Sequence, residues 1–508
     1  MNHSTEQDAY RGRSLPSVRY TVHDEAHAEG VWYPNPASAL ILLHPEGGNH
    51  LPDTLHQTVD AMREEFEDAG LLPNPMRAGG MEEADEGDLV VEWASPAGLE
   101  HPEAYRLDIG SMVRLTAGTE QAVRHGLRTV RQLLTAGEGI PYGVIDDQPV
   151  LGERALHLDI GRKFYPQAWI LDRLREMSEL KLNTLQLHFS EHEGFTFESE
   201  RHPEVMAQQY LTKSEIREII AEAKRLHIAL IPSLDSPGHL GYALRHRPEW
   251  LLHDRDGKPA RGALDITNPE AVAFVMELID EYAELFAGSA YFHIGGDEFI
   301  DFSHFADYPQ LGQYARDTLG IEGGSEVDAY VAYLNTVAQR LESQGFVARV
   351  WNDGLYREGL EQKVALKTSV QITYWTKWDP KMATVQTFID KGHKLVNFND
   401  AYFYYVLGEH AGYRYPTGEK IYADWHPGRL PRIAEDEPQE WSAPYPSWLL
   451  GCTFSVWSDK PDAQGVEEVA AGIREPLRAM AELAWTGEKR WDSYEALAEV
   501  GRLAGLRG

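Results

Sequence analysis

YFHIGGDE (291–298) begins as an apolar, strand-like run and passes through two glycines into two adjacent carboxylates, Asp297 and Glu298. A surface turn or helix cap needs no apolar strand behind it, and no glycines that let another backbone come close. Neighbouring carboxylates repel, so one of the two holds its proton to higher pH, as a general acid working near neutrality requires. Runs of the same form stand on either side. ALHLDIGR (155–162), LNTLQLHFS (182–190) and HIALIPSLD (227–235) precede it, and FVARVWND (346–353), VQITYW (370–375), KLVNFN (394–399) and GCTFSVWSD (451–459) follow. Helical segments separate them. Thr212 and Glu215 form a capping box ahead of Ile216, Ile219, Ile220 and Ala223, and Asn268-Pro269 opens an amphipathic stretch through Phe286. Eight short strands alternating with helices predict a parallel (β/α)8 barrel over residues 151–508, of α/β class.

Barrels of this kind build their chemistry at the carboxyl ends of the strands. Arg162, Asp235, the Asp297-Glu298 pair, Trp375 and the Trp457/Asp459 pair all stand at such ends. Alternation places Gln186, His188 and Ser190 on one face of the second strand, opposite Leu185, Leu187 and Phe189. The same logic turns Thr453, Ser455 and Trp457 inward on the eighth strand, and Cys452, Phe454 and Val456 toward the helices.

Ahead of the barrel, residues 1–17 are polar and unpatterned and read as a flexible tail. ALILL (39–43) and DLVVEWA (88–94) are β-like, and Val123, Leu127, Val130 and Leu134 recur at helical spacing within 119–135. This predicts a small α+β domain over 18–150, bounded by the Gly/Pro/Asp-rich stretch 137–153. The formal net charge of −33 opposes contact with phosphate backbones and anionic lipid, so neither nucleic acid nor membrane is an expected partner. The single cysteine, Cys452, excludes an internal disulfide and reads as a buried thiol. MNHSTEQDAYRGR lacks the apolar core of a secretion signal, so the chain as it reads is expected in the cytoplasm.

HIGGDEF (293–299), LDIGRKFYP (158–166) and IPSLDSPGH (231–239) together resemble glycoside hydrolase family 20, the β-N-acetylhexosaminidases, over roughly residues 20 to 490. The resemblance implies a β-linked N-acetylhexosamine glycan as substrate and no cofactor or metal. It implies substrate-assisted retention, with the sugar's acetamido oxygen as nucleophile and an oxazolinium intermediate. By position, Glu298 is the acid and base, Asp297 orients the acetamide, and Tyr402 holds its oxygen. Trp351, Trp375 and Trp457 match an aromatic cage and Arg162 matches an arginine that binds ring hydroxyls, while Gln186 on the inward face of the second strand and Asp459 at the end of the eighth are further expected sugar-binding groups. His239, with Asp235 four residues earlier, matches a relay behind the acid, and Glu191 is the nearest acidic match in HFSEHEGF (188–195).

Two departures stand out. Many members carry Trp-x-Glu and Tyr-x-Asp where this chain has Trp457-Ser458-Asp459 and Tyr402-Phe403-Tyr404. These features look more like the lacto-N-biosidases and the biofilm-dispersing N-acetylglucosaminidases than the chitobiases. Release of a single N-acetylglucosamine is the favoured expectation, with release of a galactosyl-N-acetylglucosamine disaccharide as the alternative. Two other classes compete. A metal-dependent hydrolase could draw on His157, Asp159, His188 and His192, but the fifth and sixth strands end without histidine. A non-catalytic sugar-binding protein would share the tryptophans, yet has no need of neighbouring acids.

Overall fold

The computed structural model describes residues 13–506 apart from 23–29, 44–50, 73, 138 and 432–437. Eight parallel strands form a closed barrel: β1 (Glu153–Asp159), β2 (Thr184–His188), β3 (Ala229–Ser236), β4 (Tyr291–Gly295), β5 (Val347–Trp351), β6 (Gln371–Tyr374), β7 (Leu395–Asn397) and β8 (Leu449–Trp457). Pairing of β1 with β8, Leu156 opposite Phe454 and Leu158 opposite Val456, closes the ring. Each strand falls on one of the eight runs expected from sequence. Both faces of a barrel strand are covered, by helices outside and side chains inside, and every residue of β1 and β2 is accordingly buried. The outer faces carry Leu185, Leu187, Phe189, Cys452, Phe454 and Val456 into the main apolar cluster. The inner faces are polar and aromatic.

A seven-stranded mixed sheet precedes the barrel, with Tyr105–Ile109 and Val113–Ala117 near its centre. Helix Glu120–Thr135 starts where Thr119 Oγ1 accepts from Ala122 N at 3.1 Å, and it packs Val123, Leu127, Val130 and Leu134 into the sheet's core. Its polar face is buried as well, because the barrel lies against it. Arg124 Nε donates to Ser178 Oγ at 3.0 Å, Arg128 Nη1 to Glu179 Oε1 at 2.7 Å, and Gln132 Nε2 to Glu179 O at 3.0 Å. The barrel's last long helix, Val466–Thr486, places Trp485 in the core of the first domain, where its Nε1 donates to the Asp147 carboxylate at 3.0 Å. Lys181 Nζ and Tyr105 Oη meet the same carboxylate at 3.2 and 2.6 Å.

The flexible tail expected over residues 1–17 is not matched at its carboxyl end. Residues 1–12 lie outside the described residues, but Ser14 to Ser17 are buried in the seam between the two domains. Leu15 N donates to Gln132 Oε1 at 2.9 Å and Ser17 N to Glu482 Oε2 at 2.7 Å. The composition of this segment is polar because its partners are polar, a circumstance that local patterning does not register. Among the described residues no helix is long and apolar enough to cross a membrane.

Candidate active site

The ends of β3 and β4 approach so closely that a Cβ on Gly295 would lie 2.7 Å from Asp235 Cα, and Gly295 and Gly296 turn with φ of 77° and 91°. The chain then delivers Asp297, whose side chain is 12% exposed, and Glu298, whose side chain is 59% exposed. Glu298 and His239 both hold left-handed backbone, at φ 42° and 57°, a conformation that side chains other than glycine adopt at a cost of about 1–3 kcal/mol. That strain is concentrated on two groups that meet. His239 Nε2 lies 3.4 Å from Asp297 Oδ2 and 3.5 Å from Glu298 Oε2.

Behind this pair runs a chain of alternating charge. His239 Nδ1 is 2.8 Å from Glu191 Oε2, and Glu191 Oε1 meets His188 Nε2 at 3.1 Å and Arg162 Nη2 at 2.8 Å. His188 Nδ1 faces Asp235 Oδ1 at 3.6 Å. Burial alone would lower both histidines. Glu191 and Asp297 instead hold His239 well above its ordinary value, and Asp235 and Glu191 raise His188. Burial opposes the charge on Glu191 too, yet Arg162 and His239 keep it well below the usual carboxylate range. The relay expected between His239 and Asp235 thus has a different member: Glu191 is the partner of His239, and Asp235 is paired with His188. Four-residue spacing brings side chains together on a helix, and these residues lie in extended chain and a loop.

Of the two adjacent acids, the one raised is Asp297. Burial lifts it well above the carboxylate range, with Asp235, Asp353 and Glu298 adding to the effect against His239. The hydrogen bond with His239 lowers Glu298. Asp353, in the turn just past the end of β5, accepts from Glu298 N at 3.1 Å and from Trp375 Nε1 at 3.2 Å, and burial with the Glu298 charge lifts it to about 6. A carboxylate closing the run FVARVWND is the signal that marks Asp353, although no role was expected of it.

Beside the carboxylates stands an aromatic wall. Trp351 and Trp457 ring centroids lie 5.8 Å apart, and Tyr404 stacks parallel to Trp375 at 5.8 Å and tilts against Trp457 at 5.7 Å. Arg162 sits over Trp457 at 5.7 Å, fixed by Asp159 at 2.8 Å, and Asp459 lies close enough to feel its charge. The structure therefore brings together Asp297, Glu298, His239, Glu191, Asp235, Arg162, Trp351, Trp375, Trp457 and Asp459.

It leaves out two expected members. Tyr402 is not in this wall. It sits on a single helical turn, Asp400–Phe403, with its hydroxyl accepting from Arg429 Nη1 at 3.3 Å and Lys420 Nζ over its ring. After that turn the chain re-enters extended pairing with β8, Tyr404 opposite the inward Ser455, so Tyr404 is the tyrosine that joins the aromatic wall against Trp375 and Trp457. Its phenol is raised by burial and by the nearby Tyr413, Asp400 and Asp297 charges. Gln186 lies two residues beneath His188 in the enclosed interior and donates to Ser233 Oγ at 3.3 Å.

Donor atoms of Glu191, His192 and His239 lie within 4.8 Å of one another, a set of metal-ligating type. Both Glu191 oxygens are already engaged, one by the Arg162 cation and the other by His239, and the His192 and His239 rings stack face to face at 4.8 Å. His157 is enclosed against Trp457 at 4.4 Å and Asp159 is committed to Arg162. These residues do not assemble as the metal-dependent alternative requires.

The model described as "Glycosyl hydrolase family 20, catalytic domain" matches residues 153–488, and "Glycosyl hydrolase family 20, domain 2" matches residues 49–148. A lacto-N-biosidase from Bifidobacterium bifidum is 27% identical over 394 residues, covering 77% of this chain but 34% of that protein. The beta-hexosaminidase subunit beta of Entamoeba histolytica is 24% identical over 456 residues, 83% of this chain and 76% of its own. This chain thus spans about a third of the length of the first and three quarters of the second. Among solved structures, Flavobacterium johnsoniae chitobiase aligns over 97% of this chain and 73% of its own at a TM-score of 0.73 and 21% identity. Streptomyces plicatus N-acetyl-beta-hexosaminidase aligns over 97% and 96% at 0.71 and 20%, a likeness of fold. With the catalytic-domain match running across most of its length and through every strand of the barrel, this chain belongs to glycosyl hydrolase family 20.

Proposed function

We propose that the chain is a retaining, exo-acting hydrolase that releases terminal β-linked N-acetylhexosamine, using the sugar's acetamide as nucleophile. The observation that carries the reading is the placement of Asp297 and Glu298 on one imidazole, His239, facing the Trp351–Trp375–Tyr404–Trp457 wall. An N-acetyl methyl fits such apolar walls, and Tyr404 offers a hydroxyl beside Asp297. Asp297 Oδ1 and Trp351 Nε1 are buried without a protein partner, as suits groups that meet a polar ligand.

In the proposed reaction the acetamido oxygen bonds to the anomeric carbon as the glycosidic bond breaks, and the leaving oxygen takes a proton from Glu298. Asp297 faces the amide N–H and offsets the positive charge that develops there. Water then attacks the anomeric carbon from the vacated side, gives its proton to Glu298, and restores the acetamide. Glu298 is exposed in the free enzyme, so covering it with substrate removes its water and raises its affinity for the proton that His239 and Asp297 hold nearby. Holding the internal nucleophile in line contributes several kcal/mol, on the order of intramolecular proximity effects.

A second reading, release of a disaccharide, has its own support. The Tyr404 register puts Val406, enclosed with Trp351 and Tyr404, at the third position of the motif where many members have a carboxylate. The Bifidobacterium bifidum relative is named a lacto-N-biosidase. Hydrolysis of aryl β-N-acetylglucosaminide, aryl β-lacto-N-bioside and aryl β-glucoside decides the matter. Rapid cleavage of the first alone supports the monosaccharide reading, cleavage of the second alone supports the disaccharide, and equal cleavage of the glucoside overturns acetamide participation.

A further inference from the structure

Five large apolar side chains are exposed among the described residues: Val31, Tyr33, Met81, Leu319 and Trp378. Trp378 is the most exposed, at 63%, and the first three lie in the amino-terminal domain. Trp378 stands in the loop after β6, three residues beyond Trp375, so the two Cα atoms are separated by no more than roughly 10 Å, a span of one or two sugar rings.

The loop is fixed on both sides of Trp378. Asn352 Nδ2 donates to Thr376 O at 2.9 Å, and Thr376 Oγ1 to Asp400 Oδ2 at 2.8 Å. Lys377 is buried with its Nζ donating to Pro380 O at 3.2 Å, and Asp379 is ion-paired with Arg357. Met382 N returns to Asp379 O at 3.0 Å, and Glu358 N donates to Lys381 O at 2.8 Å. A tryptophan held in water on an immobilised loop forfeits the stabilisation of burial, and rigid aromatic rings of this kind suit stacking against the apolar face of a pyranose.

The side of the pocket is also set. Trp375 reaches Glu298 through Asp353, whereas the groups suited to hydroxyls remote from the scissile bond, Arg162 and Asp459, stand at the ends of β1 and β8. We propose that Trp378 is a stacking platform for the sugar on the leaving-group side of the scissile bond, so that the enzyme prefers a glycan aglycone to a small one. This inference rests on the hydrolase reading above.

The test compares the methyl β-N-acetylglucosaminide, which has no second ring, with β-linked N-acetylglucosamine disaccharide, in wild type, Trp378→Ala and Trp378→Phe, with product quantified by chromatography. Loss of the ring is expected to lower kcat/KM for the disaccharide about tenfold, mainly through KM, while the methyl glycoside changes less than twofold and Phe restores most of the loss. Equal effects on the two substrates, or none on either, overturn the platform. Wild-type enzyme that cleaves neither overturns the monosaccharide-releasing reading and the platform with it.

Discussion

Replacing Tyr404 by Phe removes one hydroxyl from the wall that faces Asp297 and leaves the ring stacked on Trp375. If that hydroxyl holds the acetamido oxygen in line for attack, its loss resembles deletion of one preorganised donor, about 3–4 kcal/mol of barrier, or roughly 10²–10³-fold in kcat. Folding stability should change by no more than about 1 kcal/mol, because the apolar packing survives. Tyr402→Phe is the matched control. It loses a 3.3 Å hydrogen bond from Arg429, which also pairs with Glu440, so kcat should stay within about twofold. Initial rates on an aryl β-N-acetylglucosaminide, with thermal melts for both variants, separate the two. Impaired turnover in the Tyr402 variant together with intact turnover in the Tyr404 variant would refute the register argument and the assignment built on it.

Glu298→Gln should slow unactivated glycans by about 10²–10⁴ and a nitrophenyl glycoside much less, since a good leaving group needs no proton; equal losses on both would contradict its role as acid. Glu191→Gln leaves burial to dominate His239, so the imidazole loses its proton at lower pH and the alkaline limb of kcat/KM moves down; an unchanged profile would remove Glu191 from the relay. Glu482, enclosed beside Ser17, is pushed by burial from 4.5 up to about 7. The folded protein therefore binds the proton more tightly. This contribution is complete below about pH 4.5 and is lost as pH rises through about 7, by about 3 kcal/mol. Glu482→Gln should accordingly narrow the difference in melting temperature between pH 5 and pH 8, measured by calorimetry; a variant with the wild-type pH dependence would show that Glu482 titrates normally.

The barrel was legible because each strand is a short apolar run between helical segments whose starts are marked chemically, as at Thr212 and Asn268. The acid pair was legible because two charges at the end of YFHI have no structural use. What could not be read was phase. Tyr402, Phe403, Tyr404 and Tyr405 are four aromatics in a row, and the single turn that consumes 400–403 shifts which of them faces inward. Nor could pairing across the barrel be read. Glu191 and His239 are joined by the proximity of two strand ends, and nothing in either local segment points to the other. The buried polar face of Glu120–Thr135 was hidden for a related reason: amphipathic spacing marks the side that meets the sheet and is silent about a polar surface covered later by the barrel.

Trp485 belongs to the last long helix of the barrel yet completes the core of the domain made first. During synthesis the amino-terminal sheet leaves the ribosome with that position unfilled, and Ser17 must wait for Glu482, Arg490 and Trp491 before its segment can settle. Until residues 482–491 emerge, the nascent chain presents an incomplete apolar core to chaperones and proteases. A ribosome stalled before residue 485 would hold a polypeptide that already contains Asp297 and Glu298 but has no closed seam, and truncations at the carboxyl end should be cleared from the cell long before they reach the catalytic strands.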